Sequence, residues 1–484
     1  MKLRQLLQGV SADGYAADVE ITALCRDSRR ITDGCLFVCI AGTKVDSHAF
    51  AAEALEKGAA AVVCERDMGL DRQILVPDGR VVWATLCANW FDRPAEKLQM
   101  IGITGTNGKT STSYLLKGIF EKVGYRVGLI GTIQNMVGDR VVQTGQTTPD
   151  PYELQQLLAE MVRDGCRIAV MEVSSHALDQ GRVAGCHFAA GIFTNLTQDH
   201  LDYHGTMEQY AQAKRRLFSM CDVAVLNADD PWYPTMSEQL PCESVTYSVE
   251  DRQATYMAHN LRQRPDGVDF ELLAIGNIGR VKLKTPGRFS AYNALAAASC
   301  ALSLGVSFDD VIAALRDANI IKGRAEVVPT GRDFTVVIDY AHTPDGLKNI
   351  CETLNACKAG RLVTVFGCGG DRDRTKRPKM AAMAALLSDF VVVTSDNPRT
   401  EDPASIIRDV VAGLADSKVP YEVIEDRITA IRHVITTAQT GDTILLAGKG
   451  HETYQILNSG TIHLDEREVV AEALAAIENG ACNV

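Results

Sequence analysis

Short unbroken apolar runs alternate along most of this chain with longer segments whose apolar positions recur every three or four residues. The first pattern suits buried strands and the second suits helices. Met100 to Ile103 reads as a strand, and Thr112 to Val123, with Leu115, Leu116, Ile119 and Val123 at helical spacing, reads as the helix after it. Further strands are expected at 126–131, 167–173, 189–194 and 223–227, separated by helical stretches, the signature of a parallel sheet wrapped by helices. The alternation restarts after Pro329, with strands expected at 334–339, 361–366, 390–394, 421–424 and 443–446. Ahead of both lie shorter β-like runs at Cys35 to Ile40 and Ala60 to Val63, closed by the polar segment Asp92 to Lys97. The expected fold is α/β in three domains: a smaller N-terminal α/β domain at 1–97, a central P-loop-type parallel-sheet ATPase domain at 98–328, and a Rossmann-like, doubly wound domain at 329–484.

Composition agrees with this division. A length of 484 residues exceeds one ordinary core, and 46% hydrophobic residues support globular packing throughout. A net charge of −12 argues against nucleic-acid binding, which needs a basic surface. Fourteen cysteines without a C-x-x-C pair read as reduced thiols, with no structural disulfide expected. The N-terminal segment lacks a secretory apolar core and no apolar run reaches membrane-spanning length, so a soluble, cytoplasmic protein without membrane insertion is expected.

Chemistry concentrates where expected strands end. Gly105, Thr106, Asn107, Gly108, Lys109, Thr110 and Ser111 stand between a strand and a helix, the context of a phosphate-binding loop. Backbone N–H groups there face an anion, Lys109 adds a positive charge, and Thr110 can hold magnesium. The strict pattern asks for Gly at 103, where this chain has Ile103. Glu172 closes another strand and suits a magnesium ion, although Ser174 and Ser175 beside it could simply cap a helix. His200, in the polar cluster Thr194 to Gly205, is a candidate metal ligand. Lys214 falls on a helix that reads as amphipathic with an ordinary basic face. Asp339 to Pro344, Gly367 to Asp373, Asp396 to Arg399 and Gly448 to Glu452 follow four strands of the last domain, where together they could line a charged pocket for a zwitterion. With Arg372 where a third glycine would be needed, Gly367 to Asp373 is a weak dinucleotide fingerprint.

The motifs Gly105 to Ser111, Glu172 to His176, Asn195 through His204, Asp339 to Pro344 and Gly448 to Glu452 stand in the order found in the Mur ligases, and the chain resembles that family over nearly its whole length. Asp27 to Arg29, Thr147 to Pro149 and Asp396 to Arg399 resemble the MurE-type branch, which adds the third stem-peptide residue; the Arg399 form is similar to the branch adding meso-diaminopimelate. The resemblance implies an ATP-dependent, amide-forming ligase of peptidoglycan synthesis, and hence of cell-wall biogenesis, cell shape and division, acting as a cytoplasmic monomer. It implies catalytic roles for Lys109, Glu172, His200 and Lys214, and ATP contacts from the loop 105–111, Asn293, Arg324 and Asp339. Magnesium would be held by Thr110, Glu172, His200 and a carbon dioxide-derived carbamate on Lys214. Ser28, Thr147, Thr148, Ser174, Gln180 and Arg182 would bind UDP-N-acetylmuramoyl-L-alanyl-D-glutamate. Arg372, Asp396, Asn397, Pro398, Arg399, Gly448 and Glu452 would bind meso-diaminopimelate. The alternatives are a lysine-adding or folylpolyglutamate synthase-like ligase, a P-loop NTPase that forms no bond and, last, a dinucleotide-dependent oxidoreductase.

Overall fold

The computed structural model describes residues 1–478 except 16, 43, 44, 144, 265 and 266. It is built on three main sheets. The first, of five strands, runs in the order Asp13–Gly14, Gln73–Leu75, Ala61–Cys64, Leu36–Val38, Leu24–Cys25, parallel apart from the first pairing. The second has eleven strands spanning Gln99–Thr104 to Asn277–Leu283, and the third has six, spanning Glu326–Val328 to Thr443–Ala447. Apolar clusters cover both faces of each sheet, which is why the central strands read as unbroken hydrophobic runs rather than alternating ones.

The expected strands of the second and third sheets are present and parallel, but the second sheet is not parallel throughout. Tyr256–Arg264, Gly267–Ala274 and Asn277–Leu283 form an antiparallel wing at one edge, and the hairpin Asn135–Val137 with Arg140–Val142 forms one at the other. These strands carry mixed polar and apolar residues because they are half exposed, and Ile275-Gly276, with φ of +75° at Gly276, supplies a two-residue turn.

Strand order fixes where ligands can go. Gln99–Thr104 lies between Ile168–Glu172 and Phe188–Phe193, so the chain crosses from one side of it to the other and leaves a crevice at its carboxyl end. In the third sheet Thr443–Ala447 inserts between Thr335–Asp339 and Leu362–Phe366, with Phe390–Val393 next, so four polar loops open along one edge. No helix among the described residues is long and apolar enough to cross a membrane, and every described cysteine is a free thiol.

Candidate active site

The carboxyl ends of the second and third sheets face each other across a cleft of about 740 Å³. On one side lies the phosphate loop. Gly105 and Gly108 have φ of +149° and +87°, and a Cβ on either would collide, with Thr194 Oγ1 and Asn293 Oδ1 respectively, so only glycine allows the loop its close approaches. The next loop braces it: Asn107 N donates to Asn195 Oδ1 at 2.9 Å, Thr106 N to Asn195 O at 2.9 Å, and Thr194 Oγ1 to Asn107 O at 2.7 Å. These fixed backbone dipoles suit polyphosphate, and Lys109 opens the helix Lys109–Lys122 behind them. Lys109 Nζ folds back onto Gly105 O at 2.8 Å and Thr106 O at 2.9 Å, and burial lowers its pKa despite the pull of Glu172.

Glu172 ends its strand fully buried, its carboxylate accepting from Thr132 N at 3.1 Å and Thr132 Oγ1 at 2.9 Å. Ser174 is the cap of Ser175–Asp179, accepting from Ala177 N at 3.2 Å; the capping role thus belongs to Ser174, while Glu172 lines the cleft. His200 adopts a left-handed φ of +54°, uncommon for a residue with a Cβ, which turns it beside Asp199 and His176. Burial pushes its imidazole down to about 3, against the pull of Asp199, so near neutrality the ring is uncharged and has a lone pair to offer. Thr110 Oγ1 accepts from Arg324 Nη2 at 2.9 Å, whose guanidinium stacks 4.9 Å from the Tyr340 ring centre. Asp339 accepts from Ala325 N at 2.7 Å and Ala341 N at 2.8 Å, so its carboxylate shapes the turn that carries Arg324.

Lys214 corrects the reading of its helix. Its side chain lies on the inner face of Met207–Arg215, 1% exposed, with Nζ 2.8 Å from Gly105 O and 4.5 Å from the Tyr210 ring centre. Burial, and then Lys109, hold the amine well below the ordinary lysine range. The signal was available: Tyr210 and Lys214 are four apart, on the face that also carries Ala211 and Ala213.

Across the cleft, Arg372, Asp396, Asn397, Arg399, Gly448 and Glu452 gather from three loops of the third sheet. Arg399, at φ +54°, donates to Gly370 O at 2.9 Å; burial and the nearby Arg372 guanidinium both lower its pKa. Pro398 only supports this turn and does not line the cleft. The two sides meet through residues that sequence reasoning had not joined: Lys376 Nζ lies 3.2 Å from Asp199 Oδ1, both buried, and Asn107 Nδ2 donates to Asp345 Oδ2 at 3.2 Å.

Of the residues expected to hold the UDP substrate, all but Ser28 share a network that reaches Glu172 through Thr132. Thr148 Oγ1 donates to Glu172 O at 2.9 Å and accepts from Ser174 N at 3.0 Å, Thr147 pairs with Thr132 at 3.1 Å, and Arg182 donates to Thr148 O at 2.9 Å and Gln180 Oε1 at 2.7 Å. Thr147 and Ser174 line the cleft; Thr148, Gln180 and Arg182 lie outside its lining. Ser28, in the turn Ser28–Arg30 of the first sheet's layer, lies outside the lining, although that layer docks nearby through Arg26 to Asp150 at 2.6 Å.

A phosphate loop on one sheet and a charged pocket on another, facing one cleft, are the parts of an enzyme that brings a nucleotide and a charged small molecule together. Family models described as Mur ligase middle domain, Mur ligase glutamate ligase domain, and Mur ligase family catalytic domain match residues 103–301, 323–450 and 20–84. A protein of Caldanaerobacter subterraneus subsp. tengcongensis, named UDP-N-acetylmuramoyl-L-alanyl-D-glutamate–2,6-diaminopimelate ligase, is 47% identical over 99% of this chain and 100% of its own. One of Clostridium acetobutylicum with the same name, numbered 1, is 44% identical over 98% and 99%. A solved structure titled as that ligase matches with a TM-score of 0.69 at 34% identity, covering 96% of this chain and 98% of its own. The chain belongs to the Mur ligase family, and is an ATP-dependent amide-bond-forming ligase.

Proposed function

We propose that this chain adds meso-2,6-diaminopimelate to UDP-N-acetylmuramoyl-L-alanyl-D-glutamate, at the expense of ATP, in peptidoglycan precursor synthesis. The observation that carries the choice of amino acid is Arg399, set close to Arg372, Asp396 and Glu452 in the cleft that also holds the phosphate loop. The Arg399 guanidinium, disfavoured by burial and by the neighbouring Arg372 charge, calls for a carboxylate, and the nearby Asp396 and Glu452 call for an ammonium. Diaminopimelate differs from lysine by such a terminal carboxylate beside the distal amine, and a guanidinium can pair with it through two parallel hydrogen bonds.

A carboxylate is a poor electrophile, so it must first be activated. The γ-phosphoryl group of ATP passes to the D-glutamyl γ-carboxylate, giving ADP and an acyl phosphate. The diaminopimelate amine then attacks the carbonyl carbon, the C–O bond to phosphate breaks, and the amine proton is released as the amide forms. The chain's part is to hold donor and acceptor in line and to supply fixed positive charge: loop amides, Lys109 and Arg324 at the polyphosphate. Asn293 and Asp339 shape the nucleotide side; Ser28, Thr147, Thr148, Ser174, Gln180 and Arg182 hold the UDP substrate.

Magnesium fits the donors present. Thr110 Oγ1, the Glu172 carboxylate and the neutral His200 ring face the cleft, and among the described residues no three His, Cys, Asp or Glu side chains converge on one point. A sparse protein shell matches an ion that keeps water and phosphate oxygens as its other ligands. When bound, it supplies charge neutralisation at the phosphoryl oxygens. Burial holds the Lys214 amine well below the ordinary lysine range, which favours the nucleophilic free amine that carbon dioxide requires, and the carbamate anion would stand beside Lys109. The same reading makes the protein a cytoplasmic monomer.

The test is phosphate release with ATP and the UDP-muramoyl dipeptide, with diaminopimelate, lysine or no amino acid. Release that requires diaminopimelate is expected. Equal or faster release with lysine overturns the choice of amino acid, and release independent of any amino acid overturns bond formation.

A further inference from the structure

Beneath the amino-acid end of the cleft sits a cation that lines nothing. Lys449 is 0% exposed, and its Nζ lies 3.0 Å from Asn397 Oδ1, 3.1 Å from Glu452 Oε2 and 3.3 Å from Asp396 Oδ1. Asn397 Nδ2 donates in turn to Glu452 Oε2 at 2.9 Å, and Tyr340 Oη to Glu452 Oε1 at 3.3 Å. One ammonium therefore joins three side chains, from the loops after Phe390–Val393 and Thr443–Ala447, that face the cleft together.

We propose that Lys449 is a specificity-setting positioning residue: it locks Asp396, Asn397 and Glu452 into one arrangement and cancels one of the two carboxylate charges. A single net negative charge is left there for the ammonium of the incoming amino acid. The inference deepens the amino-acid-site reading given above and rests on it.

Two carboxylates sharing a buried site repel, and without a cation one of them takes up a proton. The other charged and titratable groups facing this cluster are accounted for. Arg427 approaches Asp396 and Glu452 but is committed to Glu466 at 2.8 Å and to the carbonyls of Ala447 at 2.7 Å and Ser395 at 3.4 Å. Arg399 and Arg372 stand at the carboxylate end, and Tyr340, Tyr454 and the Cys368 thiol are kept neutral by burial. Burial alone would raise the Asp396 pKa; Lys449, then Arg427, outweigh it and hold Asp396 below the usual carboxylate range. The sum of Asp396, Glu452 and Lys449 is one negative charge, complementary to one ammonium. A lysine placed only to fill the core would not have its Nζ shared among three side chains that face the cleft.

The experiment uses the full-length enzyme with Lys449→Met, Lys449→Gln and Lys449→Arg, and measures KM for meso-diaminopimelate, ATP and the UDP-muramoyl dipeptide across pH. Lys449→Met and Lys449→Gln are expected to raise the diaminopimelate KM by about 10- to 100-fold, the scale of a lost charged hydrogen bond, with the other two KM values within about twofold. The acid limb of kcat/KM for diaminopimelate should move to higher pH in both, because the unshielded pair holds a proton longer. Lys449→Arg, which keeps the charge, should leave that limb in place. A parallel rise of all three KM values, or an unmoved acid limb in the uncharged variants, overturns the proposal. If Lys449→Met does not fold, Lys449→Gln carries the same readouts; if neither folds, an acid limb displaced in Lys449→Arg overturns it. Arg399→Ala, run alongside, separates the two readings. An unchanged diaminopimelate KM there means that the amino-acid site itself is misplaced; a raised KM there with unmoved Lys449 variants sinks only this inference.

Discussion

The two sides of the cleft are built from different materials. The phosphate side is mainly backbone: loop amides held by glycine conformations and by Thr194 and Asn195, with Lys109 folded onto its own loop and Arg324 reaching Thr110. The amino-acid side is side-chain charge: Arg399, Arg372, Asp396 and Glu452 lining the cleft, steadied by buried Lys449, Arg427 and Arg377, the last bridging Glu401 at 2.8 Å and Asp409 at 2.9 Å. Backbone dipoles suit a ligand common to a whole family, since every sequence can supply them. Buried ion pairs are costly to assemble and fail when one partner is lost, so they suit the part of the site that must discriminate.

That contrast can be broken at several points. The largest effect is expected at Lys109: Lys109→Ala should lower kcat by about a thousandfold while thermal unfolding stays close to wild type, because its bonds go to loop carbonyls and not to the core. A folded variant with wild-type rates would remove this loop from catalysis. Lys214→Ala should cost about a hundredfold or more, with part of the rate recovered on adding a short-chain carboxylate in place of the carbamate. Full activity in that variant would end the carbamate proposal. Gly108→Ala sharpens the comparison, since a side chain at φ +87° is strained and meets Asn293. A strain of about 1–3 kcal/mol placed in the phosphate loop should raise the ATP KM about tenfold and leave the diaminopimelate KM alone. A rise in both would mean that the two sides are not separable.

The smallest effect is on stability. His342 and His451 are held neutral by burial and by nearby cations, at about 4 and about 3. The unfolded chain therefore binds more protons than the folded one at pH below about 6.5, and stability should fall as pH drops from there towards 4. Denaturant midpoints that stay flat over this range would contradict that protonation state.

Much of this was legible before the fold. The strands of the parallel cores are buried on both faces and so announce themselves as apolar runs, and the phosphate loop has a fixed spacing because a fixed backbone shape needs glycines at set places. The antiparallel wing at Tyr256–Arg264 to Asn277–Leu283 was not anticipated, since half-exposed strands blend into polar sequence. By periodicity alone Lys214 reads as part of an ordinary basic face, since residue type masks its position four residues from Tyr210, and only the family resemblance singles it out. The Asp199 to Lys376 pair and the Lys449 cluster join residues 177 and about 50 positions apart, and only strand order brings them together.

The central claim is that side-chain charge on the third sheet selects the amino acid while the phosphate side is indifferent to it. It is tested most directly by the ratio of kcat/KM for diaminopimelate over lysine in the wild type and in Arg399→Ala. A guanidinium left unpaired by lysine costs on the order of 3 kcal/mol, so the wild-type ratio should be at least about a hundred. In Arg399→Ala it should collapse towards one, with the ATP KM unchanged. A wild-type ratio near one, or a ratio that survives the loss of Arg399, would contradict the account.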